Sequence, residues 1–169
     1  MAGTYPLPEA QLDRFLFKLR VEFPQPQHLT EILERTTSTF EPTVEQVADC
    51  EMLMRMQRVV REVPIASHVM NYAARLVMAT HGNLPGAPNV VKEAVRYGAS
   101  PRAAQGLVIA AKAHAFLSGR FNVSYQDIRA VAPPALRHRL ILRVEAAIAG
   151  LDAETVVGAV LNQVPEESR

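Results

Sequence analysis

The sequence has 169 residues, of which 49% are apolar and 21% are charged, and its formal net charge is +1. This length allows one compact core, or a small piece of one domain joined to a second small domain, and it excludes two separate large domains. The composition excludes a disordered chain, and the nearly balanced charge does not favour a nucleic-acid-binding module.

The residue types narrow the functional classes further. A single cysteine, Cys50, leaves no internal disulfide and no metal-ligand spacing. No apolar run approaches membrane-spanning length and the N-terminus lacks the regions of a signal peptide, so we expect a cytoplasmic protein. The basic residues are fifteen arginines and three lysines, a bias that favours planar, bidentate contacts with carboxylates or phosphates.

The N-terminal part predicts one short helix followed by one strand. Pro8 suits the first turn of a helix that runs to Arg14. Residues 15–23 then alternate apolar with polar side chains, which is typical of a strand, and Pro24 and Pro26 end it. Because a lone strand cannot satisfy its backbone groups, we expect it to belong to a core whose other strands lie upstream.

The remainder of the chain predicts a mainly α fold. Gly and Pro residues form a loop over 81–89, and a helix that starts at Ser124 is expected to break at Pro133 and Pro134. The alanine-rich helix predicted over 101–118 is expected to be the central one, because small side chains let neighbouring helices approach closely. Helices are predicted over 27–37, 51–63, 65–77, 101–118, from Ser124, and after Asp152.

Three local patterns are the most specific features of the sequence. Residues 7–15 read Leu-Pro-Glu-Ala-Gln-Leu-Asp-Arg-Phe, and residues 98–103 read Gly-Ala-Ser-Pro-Arg-Ala. The third pattern is Gly119-Arg120 with Asp127, followed by Leu-Arg-His-Arg-Leu over 136–140. In this order and spacing the patterns resemble the MoxR branch of the AAA+ ATPases, close to the magnesium-chelatase group, over nearly the whole chain.

The resemblance implies a fold and a domain division. Residues 1–26 would be the C-terminal remnant of the AAA+ core, with the finger helix and the last strand. Residues 27–169 would be the helical-bundle lid domain. The family implies ATP and Mg2+ in the complete protein, neither bound by this fragment alone. It also implies an upstream ATPase core, a chaperone-like homo-hexamer, a von Willebrand factor A-domain protein as partner, and no membrane partner.

The resemblance also assigns two arginines to bound nucleotide. Arg14 would be the arginine finger that reaches a neighbouring subunit's nucleotide, where a guanidinium can stabilise charge on the phosphoryl oxygens. The alternative is that Arg14 pairs with Glu9 or Asp13 on a solvated helix. Arg102 would be the sensor-2 arginine that contacts the phosphates in its own subunit, and the amides at its helix N-terminus would favour an anion there. The alternative is an exposed first-turn arginine.

The hydrolytic motifs are absent from the sequence. None of the three lysines follows a glycine, so there is no P-loop, and no Asp-Glu pair occurs that would form a Walker B motif. The family places both motifs upstream, and we therefore expect this chain alone not to hydrolyse ATP. The histidines lack metal-ligand spacing, and no metal site is predicted.

A second hypothesis treats the chain as an independent helical binding module, with nucleic acid as a candidate ligand. It would use a cluster of basic side chains: Arg129, Arg137, Arg139 and Arg143. The balanced overall charge does not favour this hypothesis. His138 lies within the same cluster, and a lone histidine among arginines is more often structural than a ligand.

Overall fold

The computed structural model describes residues 7–39 and 41–167, and most of them are helical. The remaining residues, 1–6, 40, 168 and 169, include the first part of the predicted core remnant and lie outside the described residues. The elements in chain order are α1 (Glu9–Leu12), α2 (Pro26–Thr37), α3 (Cys50–Glu62), α4 (Ser67–Met78), α5 (Asn89–Ala94), β1 (Val95–Tyr97), α6 (Pro101–Leu117), α7 (Tyr125–Leu136), β2 (Ile141–Leu142), α8 (Val144–Ile148) and α9 (Ala153–Gln163). The predicted mainly α class is confirmed.

Helix α6 is the central helix, as its alanine content predicts. It packs most extensively against α7, and α3 and α4 also lie on it, while α9 packs on α7. Ala103, Ala110 and Ala111 of α6 are buried, so that neighbouring helices approach its backbone closely. The largest fully buried apolar side chains are Tyr72, Leu76, Val91, Leu107, Ile128, Leu136, Val156, Val157 and Val160.

The strand predicted over residues 17–23 is wrong. No strand is assigned to this segment, which is extended and mostly exposed. Its backbone makes a different contact, because the Lys18 N–H donates to the Pro134 carbonyl at 2.9 Å. The alternating pattern lacks a partner strand within the described residues, and without a ladder it cannot form a sheet. The only strands among the described residues are β1 and β2, a short antiparallel pair that the sequence did not predict.

The predicted break at Pro133 and Pro134 is also wrong, because α7 continues through both to Leu136. The prolines lie in the last turns, where each removes a donor only from the carbonyl four residues earlier, that of Arg129 or Ala130, and the ladder resumes after them. The Pro133 carbonyl accepts from the Arg137 amide and from Arg137 Nε, each at 3.1 Å. The Pro134 carbonyl accepts from Lys18, so the N-terminal segment itself completes this helix end.

Helices α2 and α3 form where the sequence predicts them, but neither contains a buried residue. The apolar stripe of α3 is largely exposed, with Leu53 at 52% and Met56 at 45%. Periodicity therefore located these helices correctly. Within the described part of the chain, however, no core covers the whole apolar stripe of α3. The proposed division at residues 26 and 27 stays a prediction.

Candidate functional site

The N-terminus of α6 presents Arg102 to solvent. Ser100 is the N-cap, and its Oγ accepts from the Arg102 backbone N–H at 3.2 Å, while Pro101 occupies the first helical position. The preceding turn is fixed because the buried Thr80 Oγ1 accepts from the Ala99 amide at 2.9 Å. The Arg102 side chain is 53% exposed. The capped helix start thus carries a half-exposed guanidinium.

Asp13 lies against the same helix start, although it is 87 residues away in sequence. The Ser100 hydroxyl donates to its carboxylate, with Oγ 2.8 Å and 2.9 Å from the two oxygens. Asp13 Oδ2 also lies 3.7 Å from Arg102 Nη1. The carboxylate is 20% exposed and sits where the amides of a helix N-terminus favour negative charge.

Arg139 holds the N-terminal segment to the far end of α7. Its side chain is 3% exposed, and Arg139 Nε donates to Asp13 Oδ1 at 3.2 Å. The guanidinium also donates to the Ala135 carbonyl of α7 and to three carbonyls of the N-terminal segment, those of Asp13, Phe15 and Leu16. A buried guanidinium is tolerated when its donors are satisfied in this way. We call Asp13, Ser100, Arg102 and Arg139 the Asp13 junction.

Arg14 follows Asp13 in the chain but takes no part in the Asp13 junction. Arg14 is exposed, and no described residue forms an ion pair with it. The alternative that Arg14 pairs with Glu9 or Asp13 is therefore not observed, because Asp13 is engaged by other groups. The geometry leaves Arg14 available for a group outside the chain, and its role as a finger stays a prediction.

The other predicted basic residues lie apart from one another. Arg129 Nη1 donates to the Tyr72 hydroxyl at 3.0 Å, and Arg137 Nη2 donates to Glu154 Oε1 at 3.0 Å. Arg143 lines a cavity of about 530 Å³ that also contains Lys92 and Arg96. With Arg139 buried, the four arginines of the second hypothesis do not form one continuous surface.

His138 contacts the same N-terminal segment as Arg139. Its Nε2 lies 2.9 Å from the Phe15 carbonyl, while its buried Nδ1 has no partner among the described residues. Burial lowers the pKa of His138, and the charges of Arg139 and Lys18 act in the same direction against the opposing Phe15 contact. The ring is therefore neutral near pH 7 and has a structural contact.

A second carboxylate cluster lies at the opposite end of α6 and α7. Asp127 is fully buried and accepts hydrogen bonds from Arg120, Ser124 and His114, with His114 Nδ1 at 2.7 Å from Oδ1. Ser124 and Asp127 also form a capping box at the start of α7. Burial raises the pKa of Asp127, but the hydrogen bonds outweigh it and hold the pKa well below its usual range. We call this set the Asp127 cluster.

Sequence reasoning found these residues only in part. The resemblance assigns roles to Arg102 and Arg14. Asp13 and Arg139 lie within its sequence patterns, but no contact between them was expected: Asp13 was named as an alternative partner of Arg14, and Arg139 as part of a basic cluster. Their contact spans 126 residues, and no local pattern encodes such a pairing. Within residues 7–39 and 41–167, no group of three potential metal ligands and no helix long and apolar enough to span a bilayer is present.

The chain is similar to several known proteins. Residues 88–159 match the model of the AAA lid domain. The chain is 40% identical over 162 residues to Chaperone MoxR1 of Mycobacterium tuberculosis, covering 96% of this chain and 43% of that protein. It is 32% identical over 155 residues to Protein MoxR of Paracoccus denitrificans, covering 82% of this chain and 44% of that protein.

A solved structure extends the match to the whole fold. The crystal structure of a candidate ATPase from Cytophaga hutchinsonii superposes with a TM-score of 0.91 at 32% identity, covering 99% of this chain and 51% of that one. The chain spans less than half the length of the curated relatives it matches. Taken with the helix order and the lid-domain match, these similarities show that the chain belongs to the MoxR-type AAA+ ATPases and carries their lid domain.

Proposed function

We propose that this chain senses bound ATP within a MoxR-type ATPase and couples its hydrolysis to the remodelling or assembly of partner proteins. The observation that carries the proposal is the position of Arg102. It stands in the first turn of α6, half exposed, and among the described residues its side chain forms an ion pair only with Asp13, at 3.7 Å. A phosphate there would meet both a guanidinium and helix-terminal amides.

In this proposal Arg14 acts on a neighbouring subunit, as the resemblance implies for the finger. Its exposure and lack of a described ion-pair partner support a contact outside the chain. The Arg139 contacts with Asp13 and Phe15 fix the backbone on both sides of Arg14. A positioned guanidinium can stabilise the negative charge that develops during phosphoryl transfer.

The remaining parts of the proposal concern groups that this chain does not supply. ATP would be held mainly by a P-loop core, and Mg2+ by acidic residues of that core, as the resemblance implies. The bound nucleotide would supply the phosphoryl group that Arg102 contacts. A homo-hexamer, chaperone-like activity and a von Willebrand factor A-domain partner follow from the family, and the chain alone is predicted to be inactive.

The test combines this chain with a separately expressed P-loop core from a MoxR-type relative and measures ATP hydrolysis. Activity should require both polypeptides. Arg14→Ala should lower kcat by about 1000-fold, and Arg102→Ala should weaken the response to ATP. Arg35→Ala is the matched control, because Arg35 is exposed on α2 and pairs only with Glu31.

Mixing the two impaired variants separates action within a subunit from action on a neighbour. In a ring that contains both kinds of subunit, some nucleotide sites lie in an Arg14→Ala subunit, which keeps Arg102. If the neighbouring subunit is Arg102→Ala, it supplies an intact Arg14 to that site. Activity should therefore partly return on mixing. Parent-like rates for both single variants, with both polypeptides folded, would overturn the proposal.

One observation keeps the second hypothesis testable. The cavity lined by Lys92, Arg96 and Arg143 has no acidic residue in its lining, so it could accept a nucleic-acid phosphate. The same protein preparation should show no salt-dependent shift of labelled DNA at micromolar concentration. A shift that Arg143→Ala abolishes would favour the helical binding module instead.

A further inference from the structure

The Asp13 carboxylate occupies a position that suits a phosphate oxygen. It accepts a hydrogen bond from the Ser100 hydroxyl at the N-terminus of α6 and lies 3.7 Å from the Arg102 guanidinium. A hydroxyl donor, a guanidinium and the positive end of a helix are the groups that recognise phosphoryl oxyanions. The chain thus places one of its own anions beside the arginine that the proposed function assigns to ATP.

The two arginines that contact Asp13 hold it unequally. Arg139 is buried and donates both to the carboxylate, at 3.2 Å, and to the Asp13 carbonyl, at 3.0 Å. Arg102 is half exposed and lies at the limit of an ion pair. Exposed pairs of this kind contribute little, whereas a buried pair with satisfied donors is costly to break. An incoming anion would therefore take Arg102 and leave Asp13 attached to Arg139.

We propose that Asp13 is an internal competitor for Arg102, which it holds until a phosphoryl oxyanion replaces it. The inference rests on the proposed function, because it assumes that Arg102 is the phosphate contact. Arg139 makes the exchange reversible by keeping Asp13 in place after Arg102 leaves. Asp13 is thus a positioning residue that sets how strongly the sensor arginine binds phosphate.

The experiment uses this chain and tripolyphosphate as the probe, with binding measured by calorimetry at low ionic strength. Asp13→Asn should tighten binding by about 3- to 10-fold, because it removes a negative charge some 4 Å from the binding guanidinium. Arg102→Ala should weaken binding, and in the Arg102→Ala background Asp13→Asn should bring no such gain. Glu9→Gln is the matched control, since it removes a nearby exposed carboxylate that forms no ion pair with Arg102.

The outcomes distinguish the inference from the proposed function. If Asp13→Asn binds tripolyphosphate no more tightly than the parent while Arg102→Ala still loses binding, the competitor role of Asp13 is overturned. The sensor role of Arg102 then still stands. If Arg102→Ala does not weaken tripolyphosphate binding, both the competitor role of Asp13 and the sensor role of Arg102 are overturned. An equal gain in Glu9→Gln would reduce the effect to general repulsion and overturn the competitor. If Asp13→Asn does not fold, as judged by thermal unfolding, Asp13→Ser removes the same charge and carries the same expectations.

Discussion

The two ends of the α6 and α7 pair are each closed around a buried or half-buried aspartate, but the two carboxylates have different partners. The Asp127 cluster joins residues 3 to 13 positions apart, at the end where α6 leads into α7. The Asp13 junction joins residues 87 to 126 positions apart, at the other end. Similar carboxylate chemistry thus stabilises the helical hairpin at one end and docks a separate segment at the other.

The energetic consequences should differ in the same way. All partners of Asp127 belong to α6, α7 and the residues between them, so losing the carboxylate destabilises the lid itself. Asp13 lies on a segment that contributes little to the buried core. Losing its contacts should therefore release the segment and leave most of the lid intact.

The largest expected effect is that of Asp127→Ala on the free energy of unfolding. It leaves Arg120, His114 and the Ser124 cap without their shared acceptor, and the loss should be about 3 kcal/mol. Urea denaturation measures it. Asp152→Ala is the control, because Asp152 caps α9 from an exposed position and should cost less. Equal losses in the two variants would show that the Asp127 cluster adds nothing beyond a cap.

The pH dependence of stability should show the same cluster at work. Because the pKa of Asp127 is lowered in the folded state, its contribution is complete above the ordinary carboxyl pKa of about 4. That contribution is lost as the pH falls from about 4 toward the folded-state pKa. The difference in unfolding free energy between parent and Asp127→Asn should therefore shrink between pH 5 and pH 3. A difference that stays constant over this range would contradict the assignment.

A smaller effect compares the two serine caps. Ser100→Ala and Ser124→Ala each remove an N-cap, and each should lower the unfolding free energy by about 1 kcal/mol. Only Ser100→Ala should also speed amide exchange over residues 13–18, because Ser100 donates to Asp13. Faster exchange there in Ser124→Ala would mean that the two ends are not independent.

The sequence predicted most of the local structure and little of the long-range structure. The helix starts at Ser100, Ser124 and Asp152 follow from cap chemistry that lies within three residues. The resemblance identified the family. The strand over 17–23 failed because its alternation says nothing about whether a partner is present.

The helix break at Pro133 failed for a related reason. Each proline removes one backbone donor, but only from the carbonyl four residues earlier, and the last carbonyls of α7 accept hydrogen bonds from Lys18 and Arg139. The Lys18 donor cannot be read from a local pattern, because Lys18 lies far from Pro134 in the sequence. The Asp13 junction was missed for a similar reason, because Asp13 and Arg139 are 126 residues apart. Buried arginine is rare, so a pattern of exposed basic residues was the natural reading of residues 137–143.

Arg139 holds the segment carrying Arg14 against the lid, and amide exchange at Lys18 is the most direct measure of this docking. The Lys18 N–H is bonded to Pro134, so it reports docking of that segment. Arg139→Ala should speed its exchange by at least about 10-fold while amides inside α6 stay protected. Arg139→Lys should behave similarly, because one ammonium cannot replace the guanidinium fork. Arg137→Ala, two residues away and paired with Glu154, should leave the Lys18 amide unchanged. Unchanged exchange in Arg139→Ala would contradict the account.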